Sequence, residues 1–461
     1  MNPRNDAEAI FRAAVARVDP APMIARALRL DPPLGAGLGR LVVSPGGPDE
    51  FSYDLARYDR IFATGMGKAS AKMAAGLELA LGERLSGGLV AVKEGHVEPL
   101  ERIRLVESGH PVPDSRSIAA ASAILGLGPS LGTTLTERDL VVVLVSGGGS
   151  SILCAPADGL TLEDKASATK ALLGCGATIN EVNCVRKHLS AVKGGRLAAA
   201  LAPASVLTLV LSDVIGDDLD AIASGPTVPD PTTFADALEI VRRYGIEGEL
   251  PAAVAERLRS GSVGGPGAPA DTPKPGSAAF ARSRTLLVGT NRLALAAAEA
   301  EAARLGYGTL VLSSRITGEA REVASVFLGI GKDVAASDFP VRKPACVIAG
   351  GETTVTLRGG GKGGRNQEMA LAFLSALGRS PKDGEGLTFL SGGTDGNDGP
   401  TDAAGAVVDA ALYRSAAAAG LDPEASLAAN DSNGFFSQAG GLVVTGPTNT
   451  NVCDVQVLLV T

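Results

Sequence analysis

A chain of 461 residues is long for one hydrophobic core, so two domains are the default. Apolar residues at 45% and charged residues at 20% are ordinary for a globular protein, whereas aromatics reach only 3% and tryptophan is absent. With a net charge of −8 and no long basic block, nucleic-acid binding is not expected, nor is a platform of aromatic rings for bases or sugars.

The five cysteines (Cys154, Cys175, Cys184, Cys346, Cys453) are scattered and contain no C-x-x-C. That pattern argues against a disulfide framework or zinc site and for a reducing compartment. Three histidines are too few for a His-rich metal centre. No apolar run approaches the ~18 residues of a membrane helix, and the opening residues lack a signal-peptide core. Arg4, Arg12 and Arg17 are offset there by Asp6 and Glu8, which argues against an import peptide. A cytoplasmic protein without membrane contact is expected.

In chain order, residues 5–30 carry helical spacing (Ile10, Phe11, Val15, Ile24, Leu28) broken by Pro20 and Pro22, which predicts two helices wrapping a domain. Residues 61–64 read as a strand, Gly65-Met66-Gly67 as a turn, and an Ala-rich helix follows from Lys68. Residues 89–92 and 103–106 are further strands, the second leading into GHPVPD (109–114). The apolar run 140–145 ends in Ser146-Gly147-Gly148-Gly149-Ser150-Ser151, and 206–211 ends in Ser212-Asp213-Val214-Ile215-Gly216-Asp217-Asp218. Between them a helical stretch carries Arg186, Lys187, His188, Lys193 and Arg196. Continuous apolar runs alternating with helices predict parallel strands covered on both faces.

From 260 to 277 the composition turns to Gly, Pro, Ser and Ala without periodicity, the mark of a linker. A fresh βαβ unit follows (strand 285–288, helix 292–305, strand 310–312), with strands near 346–349, 387–390, 442–445 and 455–460. The expected fold class is α/β with two domains. Residues 1–259 form a larger Rossmann-like, mostly parallel sheet sandwich, 260–280 a Pro/Gly-rich linker, and 281–461 a smaller C-terminal α/β domain with a mixed sheet. Polar clusters fall just after strands, where open α/β sheets bind ligands, so a cleft between the domains is expected.

The loop at 359–368 holds five glycines with Lys362 and Arg365 before a helical segment. Glycine lets backbone N–H groups approach a ligand, and cations beside them suit an anion at a helix start. Around Lys68, GMGKAS (65–70) is neither a Walker A loop, since Phe62 and Ala69 stand at required positions, nor a sound dinucleotide fingerprint. What it retains is a cation at a helix start. The turn Ser146, Gly147, Gly148, Gly149, Ser150 can cradle a phosphate or carboxylate, or serve only as a capped tight turn. It lacks the G-x-S-x-G order of a serine nucleophile.

Asp213, Asp217, Asp218 and Asp220 follow one strand. Mg2+ takes one or two protein carboxylates plus phosphate oxygens, which makes Asp213 and Asp218 metal candidates beside the plainer reading of an acidic capping loop. Asp395, Asp398 and Asp402 share a Gly-rich strand-end loop with no glutamate in the closing position of a calcium loop. Arg186, Lys187, Lys193 and Arg196 read as a solvated helix face, His188 as a satisfied core histidine and Cys154 as core packing.

Together these clusters resemble the glycerate 2-kinase family, whose C-terminal module is called MOFRL. The motifs are GMGKAS (65–70), GHPVPD (109–114), SGGGSS (146–151), VRKHLSAVKGGRLA (185–198), SDVIGDD (212–218), IASGPT (222–227), GGET (350–353), GKGGRNQE (361–368), GGTDGNDGPTDAAGA (392–406) and TGPTNTNV (445–452). The resemblance implies phosphorylation of D-glycerate at its 2-hydroxyl by ATP with Mg2+, by a monomer or homodimer. It implies catalytic roles for Lys68 on the transferring phosphate and Arg365 on carboxylate or phosphoryl oxygens. Asp213 holds the metal or accepts the hydroxyl proton. Ser146–Ser150, Arg186, Lys193, Gly364 and Asp395 are expected to hold substrate or phosphate. The sequence departs from the pattern at Leu219-Asp220, where Pro-Ser is expected, at Cys453, where Asn is expected, and in the length of the linker. The competing expectations are an NAD(P)H-dependent hydroxypyruvate reductase, a kinase for another small hydroxy acid, and a non-catalytic nucleotide- or anion-binding module.

Overall fold

The apolar runs form two separate sheets in the computed structural model, which describes residues 2–32, 39–43, 50–379 and 384–461. One compact unit comprises Pro20–Ser212 and Asp217–Val288; the other comprises Met1–Asp19, Asp213–Gly216 and Gly289–Thr461.

The first unit opens with a small antiparallel sheet of β1 (Leu28–Asp31), β2 (Arg40–Val43) and β3 (Phe51–Asp54), which has no counterpart among the predicted strands. Its main sheet contains β4 (Arg60–Met66), β5 (Leu85–Lys93), β6 (Ile103–Ser108), β7 (Asp139–Val145), β8 (Ser205–Leu211) and β9 (Ser283–Gly289). The order is β6-β5-β4-β7-β8-β9, and the pairs from β6 to β8 are parallel. β7 and β8 are buried at every residue, which accounts for their unbroken apolar sequence. The order steps outward on one side from β4 and on the other from β7. Their shared edge is therefore a topological switch point.

The second unit has a mixed sheet of β10 (Gly308–Val311), β11 (Ala345–Gly351), β12 (Leu387–Gly393), β13 (Gly405–Asp409), β14 (Leu442–Val443) and β15 (Asp454–Val460). The order is β10-β11-β15-β12-β13-β14, with only β10 and β11 parallel. Because β15 runs antiparallel between β11 and β12, its first residue, Asp454, lies opposite both Gly351 and Gly393. That register gathers the ends of β11 and β12 around the start of β15.

The two N-terminal helices belong to different units. Pro3–Arg17 is fixed to the second unit by Arg4–Asp409, by the Tyr307 hydroxyl donating to Asp6, and by Phe11 lying where a side chain on Gly392 would be. Pro20–Ala27 belongs to the first unit, and Pro20 and Pro22 stand in its opening turn, where a missing N–H costs little.

The Gly/Pro-rich segment is likewise packed. Helix Ala252–Val263 runs into it, Thr272 is buried against Asp230 at 2.9 Å, and Asp271 meets the His188 ring at 2.9 Å. Among the described residues no helix is long and apolar enough to cross a membrane.

Candidate active site

In the first unit, the chain leaving β4 and the chain leaving β7 meet at the switch point. Lys68 N–H donates to the Gly147 carbonyl at 2.9 Å, Ala69 N–H to the Ser146 hydroxyl at 3.1 Å, and Ser146 N–H to the Met66 carbonyl at 3.0 Å. Ser146 is thus a buried splice between the two loops. A side chain on Gly67 would lie 2.1 Å from its hydroxyl, and one on Gly65 would lie 2.2 Å from the Leu144 carbonyl. These glycines serve close packing of strand and turn. The Ser70 hydroxyl is spent on the Gly67 and Ala91 carbonyls, so helix Ser70–Leu81 starts without a metal-ligating hydroxyl.

Lys68 itself is half-buried, and no carboxylate lies within ion-pair distance of its amine among the described residues. Gly148 sits at φ +78°, and a side chain there would meet His110 Nε2 at 2.9 Å and Lys68 Cγ at 3.1 Å. His110 therefore shares this corner. Burial, then the positive charges of Lys68 and Lys93, push its pKa down to about 4, so the ring is neutral at physiological pH. The serine turn continues as the single turn Gly149–Ile152, and the Ser150 hydroxyl pairs with that of Ser224 at 3.0 Å.

The supposed solvated face of helix Ile179–His188 is buried instead. Lys187 is 2% exposed and ion-paired with Asp220 at 2.5 Å and Asp230 at 3.3 Å. Lys193 is also 2% exposed, and Arg186 lies beside it in one cavity. The helix packs its basic end into the unit because Asp220 and Asp230 offset Lys187. His188 is a satisfied core histidine, fully buried between the Cys184 carbonyl and Asp271. Asp218 is an exposed residue whose carboxyl is partly desolvated, and that desolvation, then neighbouring Asp220, raises its pKa.

In the second unit, Arg365 opens helix Arg365–Gly378 and lines a cavity of about 590 Å3 with Gly364, Asp395, Asp398 and Thr353. Its Nε and Nη2 donate to the two oxygens of Asp454 at 2.6 and 2.9 Å, and Glu352 lies 3.1 Å from Nη1. Asp398 accepts from the N–H groups of Asn366 and Gln367 at 3.0 and 2.8 Å. The helix start expected to receive an external anion therefore already holds an internal one.

The glycines of the preceding loop permit close backbone approach. Side chains on Gly359, Gly361 and Gly364 would fall 2.1 to 2.4 Å from Ala429, Asp431 and Asp398. Lys362 is exposed, and its backbone is bonded to Asp431 and Asn433. Asp395 is partly buried and accepts from Asn397 N–H in a local turn.

Asp213 belongs to this unit, where its carbonyl accepts the Cys453 thiol at 3.3 Å. Among the described residues no three His, Cys, Asp or Glu side chains converge as a metal cage. Mg2+ does not need one, since it takes one or two carboxylates and completes its shell from water and phosphate.

Residues 6–259 match a family described as a domain of unknown function, DUF4147, and residues 345–454 match the MOFRL family. Over 403 residues the chain is 41% identical to the D-glycerate 2-kinase of Thermotoga maritima, covering 87% of this chain and 91% of that one. A crystal structure of glycerate kinase from Thermotoga maritima superposes with a TM-score of 0.84 at 37% identity, over 99% of both chains.

This chain belongs to the glycerate kinase family.

A relative from Agrobacterium vitis, 46% identical over 407 residues and 87% of each chain, carries hydroxypyruvate reductase as a provisional name. In the present glycerate kinase family member, the acid following β5, where a dinucleotide ribose would be held, is Glu94, and it is paired with Arg116 at 2.8 Å.

Two of the three departures from the family pattern find a physical setting. Asp220 supplies the nearer partner of buried Lys187. Cys453 occupies φ +68°, a conformation asparagine adopts more readily than most residues. The structure brings Lys68 to the serine turn, Arg186 to Lys193, and Arg365 to Asp395 and Gly364, each within its own unit. Sequence reasoning passed over His110, Lys165, Glu352 and Asp454. His110, within GHPVPD, and Glu352, within GGET, stood in motifs already marked as unusual.

Proposed function

We propose that the protein transfers the γ-phosphoryl group of ATP to the 2-hydroxyl of D-glycerate, giving 2-phospho-D-glycerate and ADP. The observation that carries this reading is Lys68, a cation at the switch point of the parallel sheet that no carboxylate among the described residues neutralises. Phosphoryl transfer asks a protein for positioning and charge neutralisation, because the phosphate supplies the electrophile. The Lys68 amine stabilises the charge on the transferring group. Neutral His110, packed against the same turn, donates or accepts one hydrogen bond without adding charge.

Asp454 takes two of the five N–H groups of Arg365 and Glu352 lies 3.1 Å from Nη1, which fixes the guanidinium plane; the N–H groups that remain would meet the carboxylate of the acceptor or phosphoryl oxygens. Asp213 or Asp218 would hold Mg2+, whose charge offsets that of the phosphates; without that duty, Asp213 would accept the hydroxyl proton. The carboxylate set fits such an ion through the one or two protein ligands it requires.

One assay tests the reading: ATP, Mg2+ and D-glycerate coupled through enolase with no mutase present. Signal requires the 2-phosphate. ADP formation without enolase signal would assign the 3-hydroxyl or another hydroxy acid. NADH oxidation with hydroxypyruvate would assign the reductase.

A further inference from the structure

The first unit contains a second cationic feature that the phosphoryl-transfer reading leaves unexplained. Lys165, Arg186 and Lys193 line one cavity of about 720 Å3. Lys165 and Lys193 are 8% and 2% exposed. Their amines reach backbone carbonyls, Ala155 for Lys165 and Ser150 for Lys193, each at 3.2 Å, and Lys165 also meets the Cys154 thiol. Among the described residues no carboxylate forms an ion pair with any of the three. Burial holds all three below their ordinary pKa, and each lysine is pushed further down by its cationic neighbours. Contrast Lys187, next to Arg186 on helix Ile179–His188 and as buried as Lys193, which has Asp220 and Asp230.

Burying a cation without a partner is costly, and clustering three compounds the cost. A folded chain that keeps such a cluster at a cavity wall is completed by an anion. A hydroxy acid with one carboxylate neither fills this volume nor balances three charges. The same cavity is also lined by apolar Pro111, Val112, Leu162 and Leu173. Val112 and Leu173 are 74% and 61% exposed, so apolar surface stands open at the rim. A ligand with a flat apolar body and a polyanionic tail satisfies both kinds of lining.

Chain continuity joins the cavity to Lys68. Pro111 follows His110 directly, and Ser150 is two residues beyond Gly148, the two positions that pack around the Lys68 side chain.

We infer that this cavity seats the nucleoside triphosphate, with the base on the Pro111–Val112–Leu173 wall and the polyphosphate on Arg186, Lys193 and Lys165. The inference rests on the kinase reading for the identity of the nucleotide. It adds Lys165 and the apolar wall as ligand contacts and assigns the nucleotide to the first unit.

Titration calorimetry on the full chain, with ATP and with tripolyphosphate, tests it alongside D-glycerate KM. Arg186→Gln and Lys165→Gln are expected to weaken both ligands at least tenfold while D-glycerate KM changes less than twofold. Leu173→Ser, at an exposed rim position where folding is not at stake, is expected to weaken ATP but not tripolyphosphate. ATP affinity within twofold of wild type in both Arg186→Gln and Lys165→Gln would overturn the assignment. So would a rise confined to D-glycerate KM, which would give the cavity to the acceptor. Wild-type turnover of glycerate with such unaltered nucleotide binding would sink this inference alone. Wild-type binding of ATP, lost in the variants, without any glycerate turnover would sink the kinase reading and leave the cavity assignment standing.

Discussion

Arg365 and Asp454 form a two-pronged pair, Nε and Nη2 against both carboxylate oxygens at 2.6 and 2.9 Å, with the carboxylate fully buried and the guanidinium 31% exposed. Burial pushes the Asp454 carboxyl up, and the guanidinium and the Asn366 amide oppose that shift. The pair ties the first residue of β15 to the first residue of helix Arg365–Gly378.

Removing Arg365 therefore leaves a buried carboxylate stranded. Arg365→Ala is expected to lower stability by about 3–5 kcal/mol, the usual result of deleting one partner of a buried pair. Part of that loss should return in Arg365→Ala/Asp454→Asn, read as a urea midpoint. Activity is better tested with Arg365→Lys, which keeps the charge but not the fork. A urea midpoint for Arg365→Ala equal to wild type would contradict the structural role.

Lys68→Ala should behave differently, because no described carboxylate depends on that amine. Turnover is expected to fall ~10²–10³-fold, as for loss of one transition-state donor, with an unchanged urea midpoint. Steady-state kinetics of the enolase-coupled reaction reads it, and kcat near wild type would remove Lys68 from the chemistry.

Gly148→Ala adds one methyl group where φ is +78° and His110 and Lys68 already fill the space. The backbone alone makes about 1–2 kcal/mol unfavourable. The expected signature is a modest drop in melting temperature with a larger drop in kcat, since the methyl group displaces the Lys68 side chain. A pure stability effect with full kcat would show that the corner tolerates the shift.

His110 gives a pH dependence with a definite sign. Its folded pKa is about 4 against an ordinary 6.5, so below 6.5 the unfolded chain takes a proton that the folded site refuses. The stability it contributes is present above pH 6.5 and is lost as pH falls through about 4. Between pH 7 and 4.5 the urea midpoint of wild type should fall more than that of His110→Gln. Parallel curves would mean that the ring titrates as in the unfolded chain.

Asp398→Ala removes the acceptor of two N–H groups at the start of helix Arg365–Gly378. A loss of about 1–2 kcal/mol is expected for such a cap, and more if the Gln367 side chain is also released. Added phosphate should partly rescue it if the vacated helix start then binds an anion, as N-termini do. Thermal melts with and without phosphate read both effects.

Much of this architecture was legible in one dimension. The unbroken apolar runs 140–145 and 206–211 could belong only to strands covered on both faces, and they do. β1–β3 and β13 were not legible, because short antiparallel strands owe their pairing to partners distant in sequence or to a sheet already formed. The glycine loop at 359–364 was legible as a place of close approach, but not as to what approaches: the chain itself, at Ala429, Asp431 and Asp398, takes the space assigned to a ligand.

Charge was the least legible feature. Arg186, Lys187 and Lys193 look alike in sequence, yet Lys187 is neutralised by carboxylates 33 and 43 residues away, while the other two face a cavity and have no carboxylate partner among the described residues. The sequence by itself determined the buried strands such as β7 and β8, the glycines at their ends and the family motifs, because hydrophobic period and turn chemistry act between near neighbours. Only the tertiary structure decided which charges are spent on one another, as Arg365 is on Asp454, and which stay open for a ligand. Coulomb energy depends on distance and burial, and neither is fixed until the chain has folded.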